Sequence, residues 1–325
     1  MRIRILLILT AFASTMAAQT CQTREEIPAA DRSALESAAQ QAFQQSSHGD
    51  VAALQAGAIA SLQSNFSGIA AAVNDRKQAF AGAAAQVRAA FLLDTGASPN
   101  PDGRYICGAF SASGPTAGSA EFSLPGLQAG RYGIVIQDFN GSQGPFALTT
   151  IFQDAGGWKL AGFYVRAETA NGHDGIWHLQ RAREFKSKGQ AHNAWFYYAT
   201  AWELLAPVTF MDTRLLAKIT QESTAIQPKD VPSAGNPVTF SANSKTYSLT
   251  EMSVFSTGSG YDLSIRYATA STADFTATQA EALSLGRAYA AQNPELKEAF
   301  TNILVHAVDA SGGDVVGMVG LKSSR

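Results

Sequence analysis

Cysteine is almost absent from this sequence: Cys21 and Cys107 are the only two in 325 residues. That excludes a disulfide-dense scaffold and any zinc site built from paired CxxC motifs. Charge is also scarce, at 15% of residues against about 25% in an ordinary soluble domain. With 24 Lys+Arg against 26 Asp+Glu there is no basic excess. This speaks against nucleic acid as a partner, because a polyanion binder carries a basic face. Long apolar runs are missing, and no stretch reaches the roughly 18–20 residues of a membrane-spanning helix. The sequence has no Gly-x-Ser-x-Gly elbow, no Walker loop, no dinucleotide glycine fingerprint and no His-Glu-x-x-His. No cofactor is expected.

Alanine is abundant, with 58 residues, so much of the 46% apolar fraction is small side chain. That fraction still excludes a disordered chain, and the length suggests about two domains. The first eighteen residues read as a targeting segment. Arg2 and Arg4 precede an apolar run from Ile5 to Ala13, and small residues follow up to Ala17 and Ala18. This order is that of a cleaved secretory signal peptide over 1–18, which makes the protein secreted or periplasmic. Cys21 offers a lipoprotein alternative, although Thr20 is a poor residue to precede a lipidated cysteine. Loss of Arg2 and Arg4 leaves 22 basic and 26 acidic residues, a modestly acidic mature chain. In an oxidising compartment an even cysteine count favours a Cys21–Cys107 bridge. A Cys21 left loose and a Cys107 packed in a strand is the alternative.

The mature chain begins with helical patterning. Ser33 to Glu36 fits a capping box, and Leu35, Ala38, Ala39, Ala42 and Phe43 follow at helical spacing. Gly49-Asp50 breaks and recaps, Val51 to Val73 continues a helical face, and a third helix is expected with Phe80, Ala84, Val87 and Phe91 on one stripe. From residue 104 the period changes to two, with strands expected at 104–110, 119–124, 131–138, 145–153 and 158–167. Asn140-Gly141 is a strong hairpin signal and Asp154 to Gly157 a second tight turn. Helices followed by hairpin-linked strands indicate α+β with an antiparallel sheet. The last strand is expected to present Trp158, Leu160 and Tyr164 on one face and Ala161, Phe163 and Val165 on the other.

This order, closing on Gly156-Gly157-Trp158-Lys159-Leu160-Ala161-Gly162-Phe163-Tyr164-Val165, resembles the NTF2-like superfamily of cone-shaped domains over about residues 30–167. The resemblance implies a half-barrel with a cavity between helices and sheet, used for catalysis, for ligand binding or not at all. Tyr132, Trp158 and Tyr164 are the candidates to line it. Enzymatic members place an Asp/His or Asp/Tyr pair inside, and Asp138 with Tyr164 would be that pair here, for isomerase or hydratase chemistry. The five histidines fall outside the strand run. Members of this class also pair through the open sheet face, so a homodimer is a further implication.

Residues 168–221 return to helix and resemble one tetratricopeptide hairpin at about 177–207, ended by Pro207. A solenoid needs about three such repeats, so a single hairpin packed on a neighbouring domain is expected. Trp177, Trp195, Phe196, Tyr197, Tyr198 and Trp202 exceed what one helical face hides, which makes Trp195 and Trp202 candidates for a partner surface. Asp174 and His178 share a helix face and His192 could join them, whereas His173 is five residues from His178, off the helical i, i+4 register. The plainer reading is a capping Asp174 with a solvated His178, and no metal site is expected. Pro228, Pro232 and Pro237 mark a linker at 222–237. A smaller α+β domain follows over 238–325, with strands 238–247 and 253–268, a turn at Thr257 to Gly260, a helix 276–291 and a hairpin around Ser311 to Asp314. The functional expectation is an exported, non-enzymatic protein that binds a protein partner or a small apolar ligand.

Overall fold

The computed structural model describes residues 20–96, 100–111, 114–116, 118–258 and 260–322. The signal segment expected at 1–18 and Ser259 of the expected turn lie outside the described residues. From Thr20 the chain runs β1 (Thr20–Thr23), α1 (Ala29–His48), α2 (Val51–Ala56), α3 (Ala60–Gln63), α4 (Ser67–Asp75) and α5 (Lys77–Phe80). Strands follow: β2 (Ala85–Asp94), β3 (Arg104–Cys107), β4 (Phe110–Ser111), β5 (Gly114–Pro115), β6 (Ala120–Ser123), β7 (Arg131–Gly141), β8 (Gly144–Asp154) and β9 (Trp158–Ala167). The class is α+β.

Pro28, which has no N–H to satisfy, flanks the start of α1, so that helix begins ahead of the expected Ser33 box. Gly49 ends it in the left-handed conformation, and the Asp50 carboxylate accepts from the Ala53 N–H at 3.0 Å to start α2. The helix expected through Val73 is divided into α2, α3 and α4.

The third helix expected from Asp75 to Phe91 does not form. α5 stops at Phe80 and residues 85–94 are a strand. Its apolar run imitates a helical stripe because both of its faces are buried. A β-bulge between Val87 and Ala89, with Arg88 as the extra residue, resets which side chains take which face. Val87, Ala90 and Leu92 face the helices, while Ala89, Phe91 and Leu93 face the other way. A second bulge opposite Ile151 and Phe152 changes the parity of β9. Leu160, Phe163 and Val165 share the helix side, and Ala161 joins the opposite core.

The main sheet has the order β1-β2-β7-β8-β9, antiparallel throughout. On one face it carries α1 to α5, and the space between is filled by Leu35, Phe43, Phe80, Phe139 and Phe163. Phe80 and Phe139 stack with centroids 4.9 Å apart. The β7–β8 turn falls two residues past the Asn-Gly pair, since Gly141 pairs with Gly144. Gly141 is required for another reason: a Cβ there would collide with the Ala79 carbonyl oxygen of α5.

The outer face is covered in part. β3 and β6 form a small sheet with β12 (Met211–Asp212), which lays Tyr105, Phe122 and Met211 over Phe91, Ile134 and Ile136. Cys21 of β1 and Cys107 of β3 form a disulfide across this layer.

After β9 come β10 (Thr169–Ala170), β11 (His173–Asp174), α6 (Gly175–Ser187), α7 (Ala191–Leu205) and, past β12, α8 (Arg214–Thr224). The C-terminal sheet comprises β13 (Val238–Ala242), β14 (Lys245–Ser256), β15 (Tyr261–Ala268), β16 (Asn302–Val308) and β17 (Asp314–Gly320) in that order. The strand expected at 238–247 is split by a turn at Asn243 and Ser244, both with positive φ. α9 (Phe275–Gln292) and α10 (Leu296–Ala299) connect β15 to β16, which run parallel. That crossover needs a helix between its strands, and α9 supplies it. The α6–α7 hairpin shares one core with this second sheet: Phe185, Phe196 and Tyr198 cluster with Leu263, Tyr289 and Phe300. The segment expected as a linker packs there too, with Val231 buried. Among the described residues no helix is long and apolar enough to cross a membrane.

Candidate functional site

The candidate residues do not form one site. Tyr132 is buried on the outer face, where its hydroxyl donates to the Gln128 carbonyl at 3.1 Å. Tyr164 is on the outer face as well, 41% exposed, with its ring edge-on to Phe210 at 5.1 Å. Trp158 packs on the helix side, and the Arg131 guanidinium lies 5.9 Å from its ring centroid. The implied inner cavity is occupied by the phenylalanine cluster. Bulges and the choice of covering layer decide these positions, and neither is a local property of the sequence.

Asp138 lies on the outer face, since the neighbouring Gln137 and Phe139 point to the helices. Its carboxylate is 3.2 Å from Arg88, and burial raises its pKa against the pull of that guanidinium. Arg88 also holds Glu168 at 2.6 Å. Asp138 and Tyr164 are two strands apart, about 10 Å between backbones. The carboxylate–phenol pair expected for acid–base chemistry is therefore not assembled.

The histidines separate likewise. Asp174 caps α6 by accepting from the Trp177 N–H at 2.8 Å. His178 is not solvated but fully buried, and burial holds its pKa below the usual histidine value. Its Nδ1 lies 2.7 Å from the Asp174 backbone carbonyl, not from the Asp174 carboxylate. His173 stacks on Trp177 at 3.8 Å. His192 turns away to Asp230 at 2.8 Å and Glu295 at 3.0 Å. Burial disfavours its charge, but the two carboxylates outweigh that and raise its pKa. Both ring nitrogens are engaged, which leaves no lone pair for a metal. Among the described residues there is no cluster of three such groups set to hold an ion.

Trp195 and Trp202 are brought together. Seven residues apart on α7, they open onto one recess of about 290 Å³ beside Arg166 and Glu203. A larger cleft of about 730 Å³ was missed at the sequence level. Phe91 and Ile136 of the main sheet lie along it, facing Leu205 at the end of α7 and Pro207 and Met211 from the segment after it. Arg88, Arg214 and Lys218 lie at its margin. No family profile, curated protein or solved structure matches this chain. The only local signal for the cleft was the apolar Leu204 to Val208 stretch, which reads equally well as the end of a hairpin.

Proposed function

We propose that this is an exported, non-enzymatic binding protein of the cell envelope, which takes a small apolar ligand in the cleft along the outer face of the main sheet. The observation that carries this reading is the cleft itself. Its volume lies within the range of ligand sites, and apolar side chains from two separate parts of the chain line it. Export rests on the charged, apolar and small-residue order of residues 1–18, and a disulfide between Cys21 and Cys107 is compatible with it. Five helices ahead of the four antiparallel strands β2, β7, β8 and β9 support the NTF2-like reading of residues 30–167.

The test uses the neutral dye Nile red and an Ala89→Trp variant, because Ala89 borders the cleft and an indole there fills it. Saturable binding by the mature chain, lost in A89W with an unchanged circular-dichroism spectrum, is expected. No saturable binding, or equal binding by A89W, would overturn the reading. A protein partner at the recess shared by Trp195 and Trp202 is the second reading, favoured by two indoles opening onto one hollow. Pull-down from envelope extract with W195A and W202A checks it: a partner lost while thermal stability is kept supports it.

A further inference from the structure

The cleft has a charge pattern that its apolar walls do not require. Three cations line it, and no Asp or Glu does, in a chain whose acidic residues outnumber its basic ones. Arg88 is already neutralised by Glu168 and Asp138. Arg214 and Lys218 differ from it. They are four apart on α8, which puts both on one face of the helix, with Leu215 beside them at the same rim. The Lys218 ammonium reaches only Glu222, at 4.0 Å, and that carboxylate is already held by Arg183 at 2.8 Å. Arg214 stands in no ion pair among the described residues, and its side chain is exposed.

An apolar trough with two weakly engaged cations on one wall matches a molecule with an acidic head and a hydrocarbon body. We infer that the cleft binds single-chain acidic amphiphiles, with the head, a carboxylate or a phosphate monoester, at Arg214 and Lys218 and the chain along Phe91, Ile136 and Met211. This rests on the cleft being a ligand site, as proposed above, and adds the class of ligand. The seat for the charge is on the α8 wall because Arg88, on the sheet wall, has no charge left to offer. Both α8 cations are solvent-accessible, so their contribution is screened by salt, whereas that of the trough is not.

The experiment displaces Nile red from the mature chain with dodecanoate, dodecyl phosphate, dodecanol and dodecyltrimethylammonium, in low and high salt. The two acids are expected to bind roughly tenfold more tightly than the alcohol, the scale of two half-exposed charge contacts. The advantage should shrink in high salt, and the cation should bind most weakly. R214A/K218A should abolish the preference for acids while leaving dodecanol binding and the melting temperature unchanged. The relative strength of dodecanoate and dodecyl phosphate separates a fatty-acid source from a phosphate-bearing one. If alcohol and acids bind alike, or if R214A/K218A keeps the preference, the acidic-head inference is overturned while the cleft stands. If Nile red itself fails to bind, the cleft reading falls, and the inference with it.

Discussion

The Nε2 atom of His178 lies 2.5 Å from the hydroxyl of Tyr261, which fastens the α6–α7 hairpin to the second sheet inside the protein. The same hydroxyl is 2.9 Å from the Ala170 carbonyl, and His178 Nδ1 is 2.7 Å from the Asp174 carbonyl. Three contacts thus share one phenol and one imidazole. A neutral ring that donates from Nδ1 must accept the phenol proton at Nε2, and the Ala170 carbonyl then receives none. Only the imidazolium would satisfy all three, and burial works against that charge.

Stability should therefore fall in mild acid through His178. Its folded-state pKa is lowered, so between that value and about 6.5 the unfolded chain holds the extra proton. Stability in that window rises with pH and is lost as pH falls below about 6.5. Melting temperatures from pH 8 to pH 5 should drop less steeply in H178Q than in the wild type. Equal slopes would show that this imidazole does not titrate on unfolding.

His192 should act in the opposite sense. Its pKa is raised, so its contribution is complete below about 6.5 and is lost as pH rises through the higher folded value. H192Q should cost about 2 kcal/mol at pH 6, the scale of a charge-assisted hydrogen bond, and less at pH 9. Urea titrations at the two pH values measure the difference. A cost that does not change with pH would mean that the ring is neutral between Asp230 and Glu295.

Reduction of the disulfide should be costly. Cys21 and Cys107 are 86 residues apart, and a loop of that length contributes about 4 kcal/mol through the unfolded state. The double variant C21S/C107S should lose about that much in denaturant unfolding and should no longer respond to a reducing agent. Amide exchange should show β1 released from β2, since Cys21 pairs in register with Leu93 there.

Gly141→Ala should destabilise by about 1–3 kcal/mol, because the added methyl meets the Ala79 carbonyl rather than a yielding side chain. Gly156→Ala is the comparison. It sits in the next hairpin turn with open space around it, so its cost comes from its positive φ alone. A G141A variant as stable as wild type would mean that α5 moves aside freely.

Periodicity, turn residues and caps are encoded over a few neighbours, which is why the sequence was sufficient for the α+β class, the Gly49-Asp50 break, the Asp174 cap and most strands from Arg104 to Ala167. It failed at residues 85–94, where a strand buried on both faces looks like a helical stripe, and at 238–247, where Asn243 and Ser244 turn without a glycine. The site candidates fared according to distance along the chain. Trp195 and Trp202 share a recess because one helix carries both. Trp158 and Tyr164 were parted by the bulge at Ala161, which flips the parity of β9, while Tyr132 lies on the face that the β3, β6 and β12 layer covers, and neither feature leaves a mark in composition.

The two cysteines by themselves determined that at most one intramolecular disulfide can form and that a zinc site of paired CxxC motifs is excluded. Tertiary structure alone decided that the inner space is filled, that Asp138 faces outward and that Arg214 and Lys218 overlook an apolar cleft. Those outcomes depend on which layer covers which face. The covering strand β12 comes 89 residues after Phe122 in the chain, at Met211, its pairing partner, and no local pattern can report a contact at that separation.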